Sequence, residues 1–167
     1  MVLTRDELSR ALQHEIKILL HLAGKLEPAM LDYRPTPKQR SALELLQYLS
    51  AMAPGILEVA ETGTFSPPAW TVHEQAAAGR DFQQTLAVIA AQGVEFGALE
   101  ARWSDAEMRA EIVVWGEKTS RGAFLVAFLL CGYAAYRTQL FLYLKACGRE
   151  ELGTINLWDG SDPPKPG

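Results

Sequence analysis

Residues 120–148 read SRGAFLVAFLLCGYAAYRTQLFLYLKACG, and this stretch decides the fold. Ser120 is a favoured N-cap type, no proline interrupts the run, and Gly148 follows Lys145 where a C′ glycine belongs. One long helix is therefore predicted from near Ser120 to Gly148. Between Arg121 and Arg137, the fifteen residues Gly122 to Tyr136 carry no charge and are apolar around the whole circumference. A membrane span needs about twenty such residues, so the pattern predicts a helix buried on more than one side inside a helical domain. A domain of four helices leaves some of that surface over, and pairing with a second copy through this helix, a homodimer, would cover it.

Three more helical stripes precede it. Thr4 with Glu7 forms a capping box, and Leu8, Leu12, Ile16, Leu19 and Leu22 recur at helical spacing, which predicts a first helix over Arg5 to Glu27. Pro35 and Pro37 make 28–40 a connecting loop. Ser41 with Glu44 repeats the capping box, and a second helix runs to Gly63, with Pro54 expected to kink it or remove one hydrogen bond. Residues 62–79, TGTFSPPAWTVHEQAAAG, predict a long loop of the kind that is functional or mobile. A third helix is expected over Arg80 to Arg102, weakened at Gly93 and Gly97, and Glu111 to Trp115 is β-branched enough for a short strand or hairpin. The fold class is thus all-α: a four-helix bundle over 1–150 with a long loop between its second and third helices and at most a minor strand segment. A tail follows over 151–167, poorly ordered at its end.

Composition narrows the function. With 167 residues, 49% hydrophobic and 22% charged, the chain suits one globular domain. A net charge of −4 with scattered Lys and Arg argues against nucleic acid as a partner. The opening MVLTRDELSRALQHE has no apolar signal region, so the expected location is cytoplasmic, with no membrane partner. Cys131 and Cys147 stand sixteen positions apart on one predicted helix, beyond disulfide reach, and show no zinc spacing. GxSxG, P-loop, dinucleotide and HExxH patterns are missing from the sequence.

Two segments at opposite ends of the chain carry a family resemblance. Residues 26–52, LEPAMLDYRPTPKQRSALELLQYLSAM, and 132–148, GYAAYRTQLFLYLKACG, resemble the second- and fourth-helix motifs of the DinB-like four-helix bundles. Those motifs usually read Ser-x-x-Glu-x-x-x-His-Leu and His-x-x-x-His-Arg-x-Gln-Leu. The resemblance implies that fold over Thr4 to Gly148. In the family's metal-binding members the three histidines form an open divalent-metal site, used by some in thiol-dependent transfer or isomerisation. Here those positions hold Tyr48, Gly132 and Tyr136, while Ser41, Glu44, Leu49, Arg137, Gln139 and Leu140 match the framework around them. Glycine offers no ligand, and a phenol with a pKa near 10 is a poor one, so neither a metal nor any other cofactor is expected.

The expected site is therefore a pocket around Tyr48, Gly132, Tyr136, Tyr133 and Glu44, with Cys131 nearby: a degenerate metal site turned into packed core or into a small-molecule binding pocket. The first reading is an interaction or ligand-binding module acting as a homodimer. The second is a hydrolase-like or thiol-transferase-like enzyme with a displaced site drawing on Tyr48, Tyr136, His14, His21 or Glu44; the third is a purely structural dimer. His14 and His21 sit seven apart on one helix face, too far for one ion unaided. His73 and Glu74 fall in the long loop. Arg137 is open between an ion pair and an anionic substrate. Trp70, Trp103, Trp115 and Trp158 are read as loop staples, with Trp115, near Glu117, the one to examine for pocket contact.

Overall fold

The computed structural model describes residues 3–164. Four helices form its frame. The first, α1 (Arg5–Ala23), begins at the predicted Thr4/Glu7 capping box, and α2 (Ala42–Thr62) begins at the Ser41/Glu44 box and ends at Gly63 in the left-handed conformation, φ 70°. The next segment departs from expectation. Residues 67–78 form a helix, α3 (Pro67–Ala78), capped by the Ser66 side chain with proline in its first turn, so most of the predicted long loop is ordered against α2. The third frame helix, α4 (Phe82–Gly97), is followed by the short turns α5 (Leu99–Arg102) and α6 (Asp105–Arg109).

The strand segment is a hairpin. β1 (Glu111–Val114) pairs antiparallel with β2 (Glu117–Ser120), Glu111 opposite Ser120 and Val114 opposite Glu117. Trp115 and Gly116 make the turn with φ 52° and 83°, the left-handed values a two-residue hairpin turn requires. A non-glycine residue there is costly, and it turns the Trp115 indole toward the bundle.

The fourth frame helix is continuous over Arg121–Ala146. It opens as α7 (Arg121–Phe124), widens to a π-helical stretch over Leu125–Leu130, and continues as α8 (Cys131–Ala146). Such π segments shift the phase of the side chains that follow and often lie beside functional sites. It is long and apolar enough by length and composition to cross a membrane, with mean hydropathy 1.4. The expectation of burial on more than one side is corrected: α1 and α2 cover one side, where Phe124, Leu125, Leu129, Tyr133, Leu140 and Leu144 are buried. Ala123, Ala127, Phe128, Cys131, Ala135 and Leu142 remain exposed on the other.

Pro54 sits within α2 and offers no N–H to the Ser50 carbonyl. Gln92 of α4 supplies it instead: its side-chain amide donates to Ser50 O at 3.0 Å, and its carbonyl accepts from the Tyr133 hydroxyl at 2.7 Å. This network is buried and ties α2, α4 and α8 together beneath the exposed helix face.

The tail holds a helix that the sequence reading did not place. After Gly148, α9 (Thr154–Trp158) packs on α1, with Asn156 buried. Asn156 Nδ2 reaches His21 Nε2 at 3.0 Å, Lys25 pairs with Asp162 at 2.6 Å, and a Cβ on Gly160 would stand 2.8 Å from the Ile18 backbone. The end of the tail, 165–167, on which the expected disorder falls, lies outside the described residues.

Candidate functional site

One cavity of about 470 Å³ opens between α2, α3, the hairpin turn and the exposed side of the fourth frame helix. Six aromatic residues line it: Tyr48, Phe65, Trp70, Trp115, Phe128 and Tyr136. They follow one another around the wall as neighbours. Ring centroids lie 5.2 Å apart for Tyr136 and Tyr48, 6.3 Å for Tyr48 and Trp70, 5.8 Å for Trp70 and Phe65, 5.5 Å for Phe65 and Trp115, and 5.1 Å for Trp115 and Phe128. Tyr136 and Phe128 both belong to the fourth frame helix, which closes the circuit. Small residues there, Ala127, Cys131, Gly132 and Ala135, form the floor, with Met52 and Ile56 of α2 beside them.

The wall is built from local features. Gly55 lets Trp70 approach α2, since a Cβ there would come within 2.6 Å of the indole. The tight hairpin turn presents Trp115, and the π stretch places Ala127 and Phe128 on the cavity side. Among the described residues, none that lines the cavity is an acid, a histidine, a lysine or an arginine. Burial first, then the neighbouring Tyr136 hydroxyl, pushes the Tyr48 phenol up to about 12, so it is neutral at physiological pH.

The positions named from sequence divide. Tyr48, Gly132 and Tyr136 do meet, with Cys131, at this cavity, and Cys131 is exposed there. Tyr133 does not: its ring is fully buried against Phe96 on the core side, where its hydroxyl serves Gln92. Glu44 closes the Ser41 capping box and pairs with Arg34 at 3.2 Å, and it lines a smaller cavity of about 210 Å³ with Arg40, Glu74 and Tyr48, whose ring borders both cavities. The capping hydrogen bond, with help from Arg34, holds the Glu44 carboxyl below its usual range. Trp115 contacts the pocket as anticipated, while Phe65, Phe128 and Trp70 were missed as wall residues. Phe65 and Trp70 fall in a segment without a periodic signal, and Phe128 lies in a helical run apolar on every side, which marks no one face as the pocket side.

The remaining candidates lie elsewhere. His14 reaches the Trp158 carbonyl at 2.8 Å and His21 meets Asn156, both beneath the tail. His73 pairs with Glu58 at 3.0 Å outside the ring. Arg137 is resolved as structural: buried, it meets Glu15 at 2.5 Å, donates to the Leu157 carbonyl and lies under the Trp158 ring. Burial raises the Glu15 carboxyl more than Arg137 lowers it.

The donor set does not fit a metal ion. Gly132 brings no side chain, and a Cβ there would stand 3.1 Å from the Met52 sulfur, so Met52 fills the space a ligand at 132 would need. The two remaining positions are phenols, one held neutral to about 12. Among the described residues, no three His, Cys, Asp or Glu side chains are grouped to hold an ion. Glu44 shares the smaller cavity with Tyr48, but His14 lies under the tail at the Trp158 carbonyl, so no histidine joins them as an acid–base pair would require.

No protein-family model matches the chain, and no curated protein matches it. Among solved structures, it is similar to a DinB-like protein from Bacillus subtilis, YjoA, with a TM-score of 0.67 at 16% identity, over 88% of this chain and 96% of that one. With the bundle order described above, this likeness gives the fold: the chain is an all-α bundle of the DinB-like kind.

Proposed function

We propose that the protein is a cytoplasmic small-molecule binding module in which the position of a DinB-like metal site has become an organic-ligand pocket. The observation that carries this reading is the ring of aromatic residues around a cavity whose volume falls in the range of ligand pockets. Packed core in its place would leave no such space. A fragment screen followed by tryptophan emission tests it, because Trp70 and Trp115 form part of the wall. Binders should shift the emission, protect Cys131 from alkylation, and fail with Ala135→Phe, which fills the floor from an exposed helix position. A screen whose hits bind Ala135→Phe equally well would refute the reading.

A second copy of the chain is the proposed cover of the exposed face of the fourth frame helix. Phe128, 43% exposed, projects from that face, and a second cavity of about 660 Å³ shares Ala127 and Cys131 with the aromatic one. A projecting ring next to an apolar groove on one face is the self-complementary surface a two-fold dimer needs. Light scattering should give a dimer that Ala123→Lys converts to monomer; a monomeric parent protein would overturn this arrangement.

A further inference from the structure

The chemistry of the cavity wall narrows its occupant, an inference that rests on the binding-module reading. We infer that the pocket selects an uncharged, largely apolar aromatic-ring compound, with a hydrogen-bonding group facing Tyr48 and Tyr136.

Charge is the first discriminator. An anion entering the cavity leaves its hydration shell and meets no cationic side chain on the wall. The Arg40 guanidinium stacks on the Tyr48 ring, 3.9 Å from its centroid, but it lines the small cavity with Glu44 and Glu74 and is not part of the aromatic wall. Those two carboxylates offset its field.

A cation could in principle use the aromatic faces, as methylated ammonium groups do. Here one face of Tyr48 is already occupied by Arg40, and the wall carries no carboxylate to complete the neutralisation. A neutral ring system avoids both costs and gains offset or edge-to-face contact with the aromatic wall.

Orientation comes from the polar atoms. Tyr48 and Tyr136 are neighbouring rings of the wall and each brings a hydroxyl, while Phe65 and Phe128 offer hydrocarbon alone. A phenol kept neutral both donates and accepts, so either a hydroxyl or a carbonyl on the ligand finds a partner there, whereas the indole N–H groups of Trp70 and Trp115 can only donate.

Calorimetry on the full chain with three probes sharing one naphthalene body tests the assignment: naphthol, naphthoate and trimethylnaphthylammonium. Naphthol should bind at least about tenfold more tightly than either charged probe, lose that binding in Ala135→Phe, and weaken severalfold in Tyr136→Phe. A charged probe that binds as tightly as naphthol and is blocked by Ala135→Phe would overturn the ligand class while leaving the pocket as a binding site. If no naphthalene probe binds while fragments of another shape are blocked by Ala135→Phe, the ring assignment fails and the binding-module reading stands. If Ala135→Phe blocks no ligand of any kind, both fall.

Discussion

Replacing Gln92 with leucine removes the one side chain that compensates for Pro54. In Gln92→Leu the Ser50 carbonyl and the Tyr133 hydroxyl both lose their partners in a region that is 1% exposed at Ser50 and 0% at Tyr133. Each orphaned buried group costs about 1–3 kcal/mol, so the variant should lose roughly 3 kcal/mol and about 6–12 °C of thermal midpoint. The assay is urea unfolding of a double-mutant series. Tyr133→Phe should cost less in the Gln92→Leu background than in the parent, because the orphaned hydroxyl is gone. Pro54→Ala restores an N–H to Ser50, and its gain should be larger by about 1 kcal/mol in the Gln92→Leu background. Effects that add within about 0.5 kcal/mol would refute the argument that Gln92 serves both groups.

Arg137→Met should destabilise the chain by about 3–5 kcal/mol, because it leaves the Glu15 carboxylate buried alone, whereas Arg137→Met with Glu15→Leu should cost less than the single change. Unfolding midpoints decide this; a stable Arg137→Met that loses ligand binding would instead make Arg137 a binding residue. The tail should loosen in acid. Burial, the largest cause, with Lys25 lowers His21 below 6.5, and the Lys25 hydrogen bond holds Asp162 below 3.8. Both shifts are downward, so their hold on α9 is complete above the ordinary values and is lost as pH falls, first through His21 and then through Asp162. Hydrogen exchange of residues 154–160, corrected for intrinsic rates, should quicken along that path while the core stays protected. Unchanged protection down to about pH 4 would contradict it.

The helices were legible wherever a cap stood next to a stripe: Thr4 with Glu7 and Ser41 with Glu44 placed the starts of α1 and α2 correctly. α3 was hidden because its sequence has little amphipathic pattern and opens with two prolines, which read as loop until Ser66 is seen to cap them. The helix within the tail went unseen for a related reason. Its order comes from Asn156, Asp162 and Gly160 meeting α1 more than a hundred residues away, which no local pattern encodes. At the site, the family motifs located Tyr48, Gly132 and Tyr136. They also brought in Tyr133, which a helix turn carries to the core side, and they gave no view of Phe65 or Trp70, which arrive from outside the motifs.

Metal retention tests the central claim most directly: that this cavity is an aromatic pocket whose residues no longer suit an ion. The untagged chain is exposed to zinc, nickel and manganese, freed of loosely held ions, and analysed by mass spectrometry. The structure predicts no stoichiometric retention of any of the three. One ion held per chain, and lost on Tyr48→Phe or Tyr136→Phe, would contradict it and return the cavity to metal chemistry.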